Sequence, residues 1–548
     1  MKYLFKLVSS LEKVFFTGIE LFREKCEGSM LSNEIYSFQL VGWCSNEENQ
    51  KVLCTYRICS ELQEYIDVKC VSYVPNLVPS IEINDDCDYI TKTPGLFPDV
   101  LLESEDQRFE LSNLQTRALW ISICPSGHIS GSYPITIQIY DANNEIICEK
   151  TFLLDIIPVQ LPELSIPNTC WFYGDCIAKL HHVEIMSEDY YEIAEKYLDI
   201  YSKFGHNMIL TPIFTPPLNT AVGAERPTNQ LVGVTITNGQ YSFDFSLLNR
   251  WISICQKHNI RYYEISHLFT QWGAEHSPKI MATVDGEYKR IFGWETDSCG
   301  NEYQRFLSAL LPELTAFLKK LGIYEQCYFH ISDEPFLKHQ ETYKRCKELV
   351  SRFILEDQII DALADYDFYE NGLIHHPVVC SDMIQSFIDH GASGLWTYYC
   401  MAQRKGVANR FMAMPSYRSR VLGLQLYKNE INGFLHWGFN FWFSADSQKV
   451  INPYFDSTAD GHYQGGDSYL VYPLNEKGEV VLSLRLYVVN EAMQDYRALS
   501  LLESISSRGT VLNLLNEIVG MSQYPREGNY YISLREKINS LIKEKLCI

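Results

Sequence analysis

The sequence predicts an α/β protein: a (β/α)8 TIM-like barrel preceded by an all-β sandwich domain, with a C-terminal helical segment. Three observations carry this expectation. Short alternating runs fill residues 30–160; Pro158, Pro162 and Pro167 then stiffen the chain; and beyond residue 168 strand-like runs alternate with helical ones. At 548 residues the chain exceeds what one hydrophobic core organises, so two or three domains are expected, one of them enzyme-sized.

In the first region the runs 35–44, 52–59, 118–124, 133–140 and 146–158 are separated by turn clusters such as Pro125-Ser126-Gly127. Short period-two strands between turns mark a sandwich. The proline linker sets the expected boundary, giving a sandwich over 1–162, a catalytic barrel over 163–485 and helices closing the barrel over 486–548. The expected barrel strands are 169–173, 208–211, 261–265, 327–331, 359–364, 394–398, 433–440 and 468–472. Helices are expected at 189–204, 247–258, 302–321, 341–356, 381–390 and 410–429. An open nucleotide-binding sheet would want a Gly-rich phosphate turn, and no G-x-G-x-x-G or G-x-x-x-x-G-K occurs.

A net charge of −22 disfavours nucleic acid and anionic membranes as partners. A neutral substrate fits better. Glu12 and Lys13 interrupt the one apolar run that resembles a signal peptide, no cleavage site follows closely, and no run is long enough for membrane insertion. The expected location is cytoplasmic. The 17 cysteines, scattered singly as at Cys70, Cys148, Cys255 and Cys400, read as reduced core residues. His375-His376 lacks a third ligand at metal spacing, so no metal and no organic cofactor is expected.

Barrel enzymes place their chemistry at the C-terminal strand ends. There Cys327-Tyr328-Phe329-His330-Ile331-Ser332-Asp333-Glu334-Pro335 runs an apolar strand into two consecutive carboxylates. Like charges side by side raise one pKa, which is what a general acid at neutral pH needs. The structural alternative is that the pair caps a following helix.

The stretch His330 to Pro335 resembles the catalytic motif of glycoside hydrolase family 123, the β-N-acetylgalactosaminidases. Trp171-Phe172-Tyr173-Gly174-Asp175-Cys176 and Gly465-Gly466-Asp467-Ser468-Tyr469, followed by Ser483-Leu484-Arg485, agree with it. The resemblance spans roughly residues 165–510, and it implies a retaining, exo-acting β-N-acetylhexosaminidase using substrate assistance. The substrate's acetamido oxygen would attack the anomeric carbon, with Asp333 orienting the acetamido group and Glu334 acting as acid and then base. The implied partner is a glycan with a terminal 2-acetamido sugar; a homodimer is left open. Tyr398, beside Trp396, is assigned the acetamido carbonyl, and Trp437 and Trp442 the sugar floor. His267, Asp467 and Asp446 are assigned sugar hydroxyls, and Asp175 substrate or a loop lock. Two other readings stand beside this one: a glycosidase pairing Glu334 with a distant carboxylate such as Asp446, and a carbohydrate-binding protein without turnover.

Overall fold

Period-two alternation gives a strand one buried face, and two such faces make a core. The computed structural model describes residues 2–16, 18–46, 50–81, 86–127 and 129–548. In it the N-terminal region forms two facing sheets. One has the strand order Lys2–Ser9, Tyr36–Ser45, Thr116–Ile123, Ile66–Asn76, Gly95–Glu103, Val480–Ser483, Val471–Pro473; the other runs Glu27–Leu31, Ile146–Ile157, Gly131–Tyr140, Val52–Cys59, Arg108–Leu111. Strand Gly131–Tyr140 shows the principle. Ile135, Ile137 and Ile139 are buried among Phe38, Leu119, Ile121 and Phe152, while Thr136 and Gln138 face outward. The segment whose charges interrupt the signal-like run is an edge strand, Lys2–Ser9, antiparallel to Tyr36–Ser45.

The second region is a parallel eight-stranded sheet: β1 Asn168–Cys170, β2 Met208–Thr211, β3 Tyr262–Ile265, β4 Cys327–Phe329, β5 Ile360–Leu363, β6 His376–Cys380, β7 Trp396–Tyr398 and β8 Gly433–His436. Its order is β4-β3-β2-β1-β8-β7-β6-β5. A single bridge, Phe329 to Ile359, links the two ends, so the barrel is nearly closed. Covered on both sides, these strands read as continuous apolar runs.

Seven of the expected barrel strands fall on β1–β5, β7 and β8, but the expected strand at 468–472 does not enter the barrel. Val471–Pro473 instead pairs with Val480–Ser483, which pairs with Gly95–Glu103 of the first sheet. The remaining position is taken by β6, whose His376-Pro377 start hid a short run without periodicity. A four-stranded side sheet, built from Gly233–Thr237, Gln240–Asp244, Ile280–Val284 and Glu287–Phe292, was not foreseen; it grows from the connections that follow β2 and β3.

The C-terminal helix Leu484–Ile505 is buried nearly all round against helix Tyr417–Lys428. A β-carbon at Gly423 would stand 1.8 Å from the carbonyl oxygen of Ala492, so only glycine permits this approach. Helix Gly528–Leu546 then ties the barrel to the sandwich, with Arg535 bonded to Asp495 on one side and Glu34 on the other. Among the described residues, no helix is long and apolar enough to cross a membrane. The cysteines are unpaired. The expectation that all are core residues is corrected by Cys26, Cys59, Cys87 and Cys547, which are exposed.

Candidate active site

The end of β4 is stitched to both of its neighbours. The Trp272 N–H, after β3, donates to the Asp333 carbonyl at 2.7 Å, and the Glu334 N–H donates to the Ala362 carbonyl on β5 at 3.0 Å. Ser332 Oγ donates to the Thr270 carbonyl at 2.9 Å and accepts from the Ala274 N–H at 3.1 Å. Glu334 itself has φ +44°, a left-handed conformation that a side-chain-bearing residue keeps only when its surroundings hold it there. The helix-cap alternative fails, because the next α-helix begins at Gln340.

Tyr398, at the end of β7, donates its hydroxyl to Glu334 Oε1 at 2.5 Å. Its partner in the empty site is thus Glu334 rather than open space. Burial, and next the adjacent Glu334, push the Asp333 carboxyl well above the usual range. Burial also raises Glu334, while the Tyr398 hydroxyl opposes that rise. Two carboxyls so placed share a proton at pH values where isolated ones have none.

Beneath the pair lies a buried ionic clamp. His330 Nε2 donates to Glu264 Oε1 at 2.7 Å, and Nδ1 to Asp361 Oδ1 at 3.2 Å. Glu264 also accepts from Thr169 Oγ1 and Trp171 Nε1, both at 2.7 Å. Asp361 accepts from the Tyr343 hydroxyl at 2.6 Å and from the Ile331 and Ser332 N–H groups at 3.0 and 3.2 Å. Although burial works against it, these two carboxylates raise the His330 pKa to about 10, so the ring is an imidazolium. Its positive charge opposes the rise at Asp333. Asp361 escaped the sequence reading. The signal was there: a lone charge inside the apolar run Ile359-Ile360-Asp361-Ala362-Leu363, where an unpaired carboxylate would be costly.

Across the mouth, after β8, Trp437 is half-buried. Its Nε1 donates to Asp467 Oδ2 at 3.1 Å, and its ring meets Phe441 and Tyr463 edge-on at 5.2 and 5.4 Å. Asp467 is fully buried, and burial pushes its carboxyl up to about 7. Cys400 feels the charges of both Glu334 and Asp467 and so marks the span between the two walls.

Residues 171–502 match the glycoside hydrolase 123 catalytic domain. The chain belongs to glycoside hydrolase family 123. A family 123 glycoside hydrolase from Clostridium perfringens, studied for glycolipid glycan hydrolysis, aligns over 100% of this chain and 98% of its own, with 14% identity and a TM-score of 0.73. A β-glucuronidase from Parabacteroides merdae aligns over 90% of this chain and 52% of its own, at 11% identity and a TM-score of 0.31. One from Bifidobacterium dentium covers 89% and 66%, at 8% identity and 0.34. A search of curated protein sequences returned no match.

Within this family 123 hydrolase, the structure brings Asp333, Glu334 and Tyr398 together and sets Trp437 and Asp467 on the facing wall. It separates others from the opening. Trp396 fills the barrel interior against Tyr328 and Gly433. Trp442 is fully buried, its Nε1 on the Val471 carbonyl at 3.3 Å. His267 is sandwiched between Trp171 and His330, with ring centroids 5.6 and 4.2 Å away, and reaches no surface. These three are corrections to the expected sugar contacts. Their apolar or aromatic surface is worth more in the core than at a wet opening, and sequence position at a strand end does not show which way a ring points. Among the described residues, no group of three His, Cys, Asp or Glu side chains is placed to hold a metal ion.

Asp175 is the loop lock rather than a contact. Its carboxylate takes Arg226 Nε at 2.9 Å and Nη2 at 2.8 Å, both residues being buried. Arg226 also holds the Leu218 carbonyl at 3.1 Å and lies over Tyr173, 4.9 Å from its ring centroid. Asp175→Asn leaves a guanidinium buried without its counter-charge, so a loss of about 3–5 kcal/mol in denaturant unfolding is expected. Turnover per folded molecule should change far less than stability. A large fall in KM-normalised turnover with unchanged unfolding would return Asp175 to the substrate.

Proposed function

We propose that this glycoside hydrolase is an exo-acting, retaining β-N-acetylhexosaminidase that removes terminal β-linked N-acetylgalactosamine from glycans, glycolipid glycans among them, with the substrate's own acetamido group as nucleophile. The observation that carries the reading is the Asp333–Glu334 pair on one turn at one strand end. Two carboxylates that flank a glycosidic bond as nucleophile and acid stand on opposite sides of the sugar, about 5 Å apart. Neighbours on one turn suit a different division of labour, one serving the acetamido group and the other the leaving oxygen.

In the first step the acetamido oxygen attacks C1 while Glu334 gives its proton to the glycosidic oxygen and the leaving alcohol departs. Asp333, ionised, accepts the acetamido N–H and offsets the positive charge as the oxazolinium forms. In the second step Glu334 takes a proton from water, whose oxygen attacks C1 from the face the leaving group vacated, so configuration is retained. Tyr398 donates to Glu334 throughout and stabilises it most when it is a carboxylate, between the two steps. Substrate also decides where the shared proton rests. An amide N–H arriving at Asp333 favours its ionised form, which leaves the proton on Glu334, where the leaving group needs it. The half-buried Trp437 indole, pinned by Asp467, is the floor for the terminal sugar.

Hydrolysis of 4-nitrophenyl β-GalNAc and β-GlcNAc, set against the 2-hydroxyl sugars β-Gal and β-Glc, tests the proposal. Turnover confined to the acetamido pair, with GalNAc preferred, is expected. Comparable turnover of the 2-hydroxyl sugars would overturn substrate assistance and require a separate nucleophile.

A further inference from the structure

Trp272 occupies the turn after β3 with φ +62°, followed by Gly273 at φ +134°. A left-handed backbone suits glycine, yet the bulkiest residue type stands there with its side chain 41% exposed. Strain and an exposed indole are two unfavourable terms, and the fold gains no buried surface in return. The turn is nevertheless fixed in place. Its N–H bonds tie it to the Asp333 carbonyl at 2.7 Å and to Ser332 Oγ at 3.4 and 3.1 Å, from Gly273 and Ala274. The His339 ring fills the space a β-carbon on Gly273 would need, 2.5 Å away. His339 in turn lies 5.7 Å from the ring of Phe336, which is 52% exposed on the loop leaving Pro335. The rim beside the carboxylate pair therefore presents aromatic surface to water from a rigid turn, opposite the deeper Trp437.

We infer that Trp272, flanked by Phe336, is the platform for the leaving-group sugar, a hexopyranose whose apolar C–H face stacks on the indole. The inference rests on Asp333 and Glu334 being the reacting pair. An exo-acting glycosidase encloses the terminal sugar and leaves the rest of the glycan at the rim, where Trp272 stands. A flat, preorganised indole costs little conformational entropy on binding and orients the departing oxygen toward Glu334.

The test compares Trp272→Ala and Trp272→Gly with wild type on two substrates. One is a disaccharide with β-GalNAc on galactose; the other is methyl β-GalNAc, whose leaving group has no ring. The disaccharide should lose about tenfold more kcat/KM than the methyl glycoside, chiefly through KM, in both variants. Glycine relieves the positive φ, so Trp272→Gly should melt no lower than wild type, which separates lost stacking from lost structure. Equal losses on the two substrates, or no loss on the disaccharide, would overturn the platform. The ratio is read within whichever sugar series the wild type cleaves. A wild type that prefers 2-hydroxyl glycosides would sink the acetamido mechanism, and the same ratio on those sugars would still decide the role of Trp272.

Discussion

Replacing Glu334 by glutamine should lower kcat/KM on a disaccharide or alkyl glycoside by about 10²–10⁴-fold, the usual contribution of a positioned proton donor. The loss on a 4-nitrophenyl glycoside should be far smaller in the first step, because that leaving group departs without protonation. Water must still be activated in the second step, so slow release from the intermediate should limit the variant, and an added anionic nucleophile such as azide should restore turnover. The geometry behind this expectation is a raised carboxyl held at 2.5 Å by Tyr398 on a strained, stitched turn. Equal losses on activated and unactivated substrates would remove Glu334 from the acid role.

The second large effect is at Asp333. Asp333→Asn should reduce turnover of every substrate by about 10²–10³-fold, whatever the leaving group, since acetamido participation precedes bond cleavage in each case. Its stability should move the other way. A carboxyl whose folded pKa is raised favours folding in its protonated form, so its contribution is present at low pH and is lost as pH rises through the folded value. Burial and Glu334 both raise Asp333. At pH 7–8 the neutral asparagine should therefore melt at or above the wild-type temperature, and the difference should shrink toward pH 4. A variant with normal turnover would rule out the stabilising role; one that melts well below wild type would show a structural role.

The fold was legible where local pattern is the cause. Alternation in 133–140 and 146–158 is the direct consequence of one buried sheet face, and it placed the sandwich strands. Runs such as Met208–Thr211 are apolar because both faces are covered, and they placed most of the barrel. The final pairing was not legible. Residues 468–472 and the run Pro377-Val378-Val379-Cys380 are equally apolar, and nothing local says that the first joins the sandwich sheet while the second completes the barrel. The candidate site divides the same way. Asp333 and Glu334 could be read because they are consecutive, whereas Trp396, Trp442 and His267 were read as contacts from strand-end positions alone, and the core holds them.

The sequence by itself determined the two architectural textures, the linker between them and the carboxylate pair, because each depends on residues adjacent in the chain. Only the tertiary structure decided what surrounds that pair. The His330 clamp draws on Glu264 of β3 and Asp361 of β5, the hold on Glu334 comes from Tyr398 of β7, and Asp175 finds its counter-charge 51 residues away in Arg226. Charges buried this deeply persist only when paired, and the pairing partners are chosen by the curl of the sheet that brings strand ends together, not by the spacing of residues along the chain.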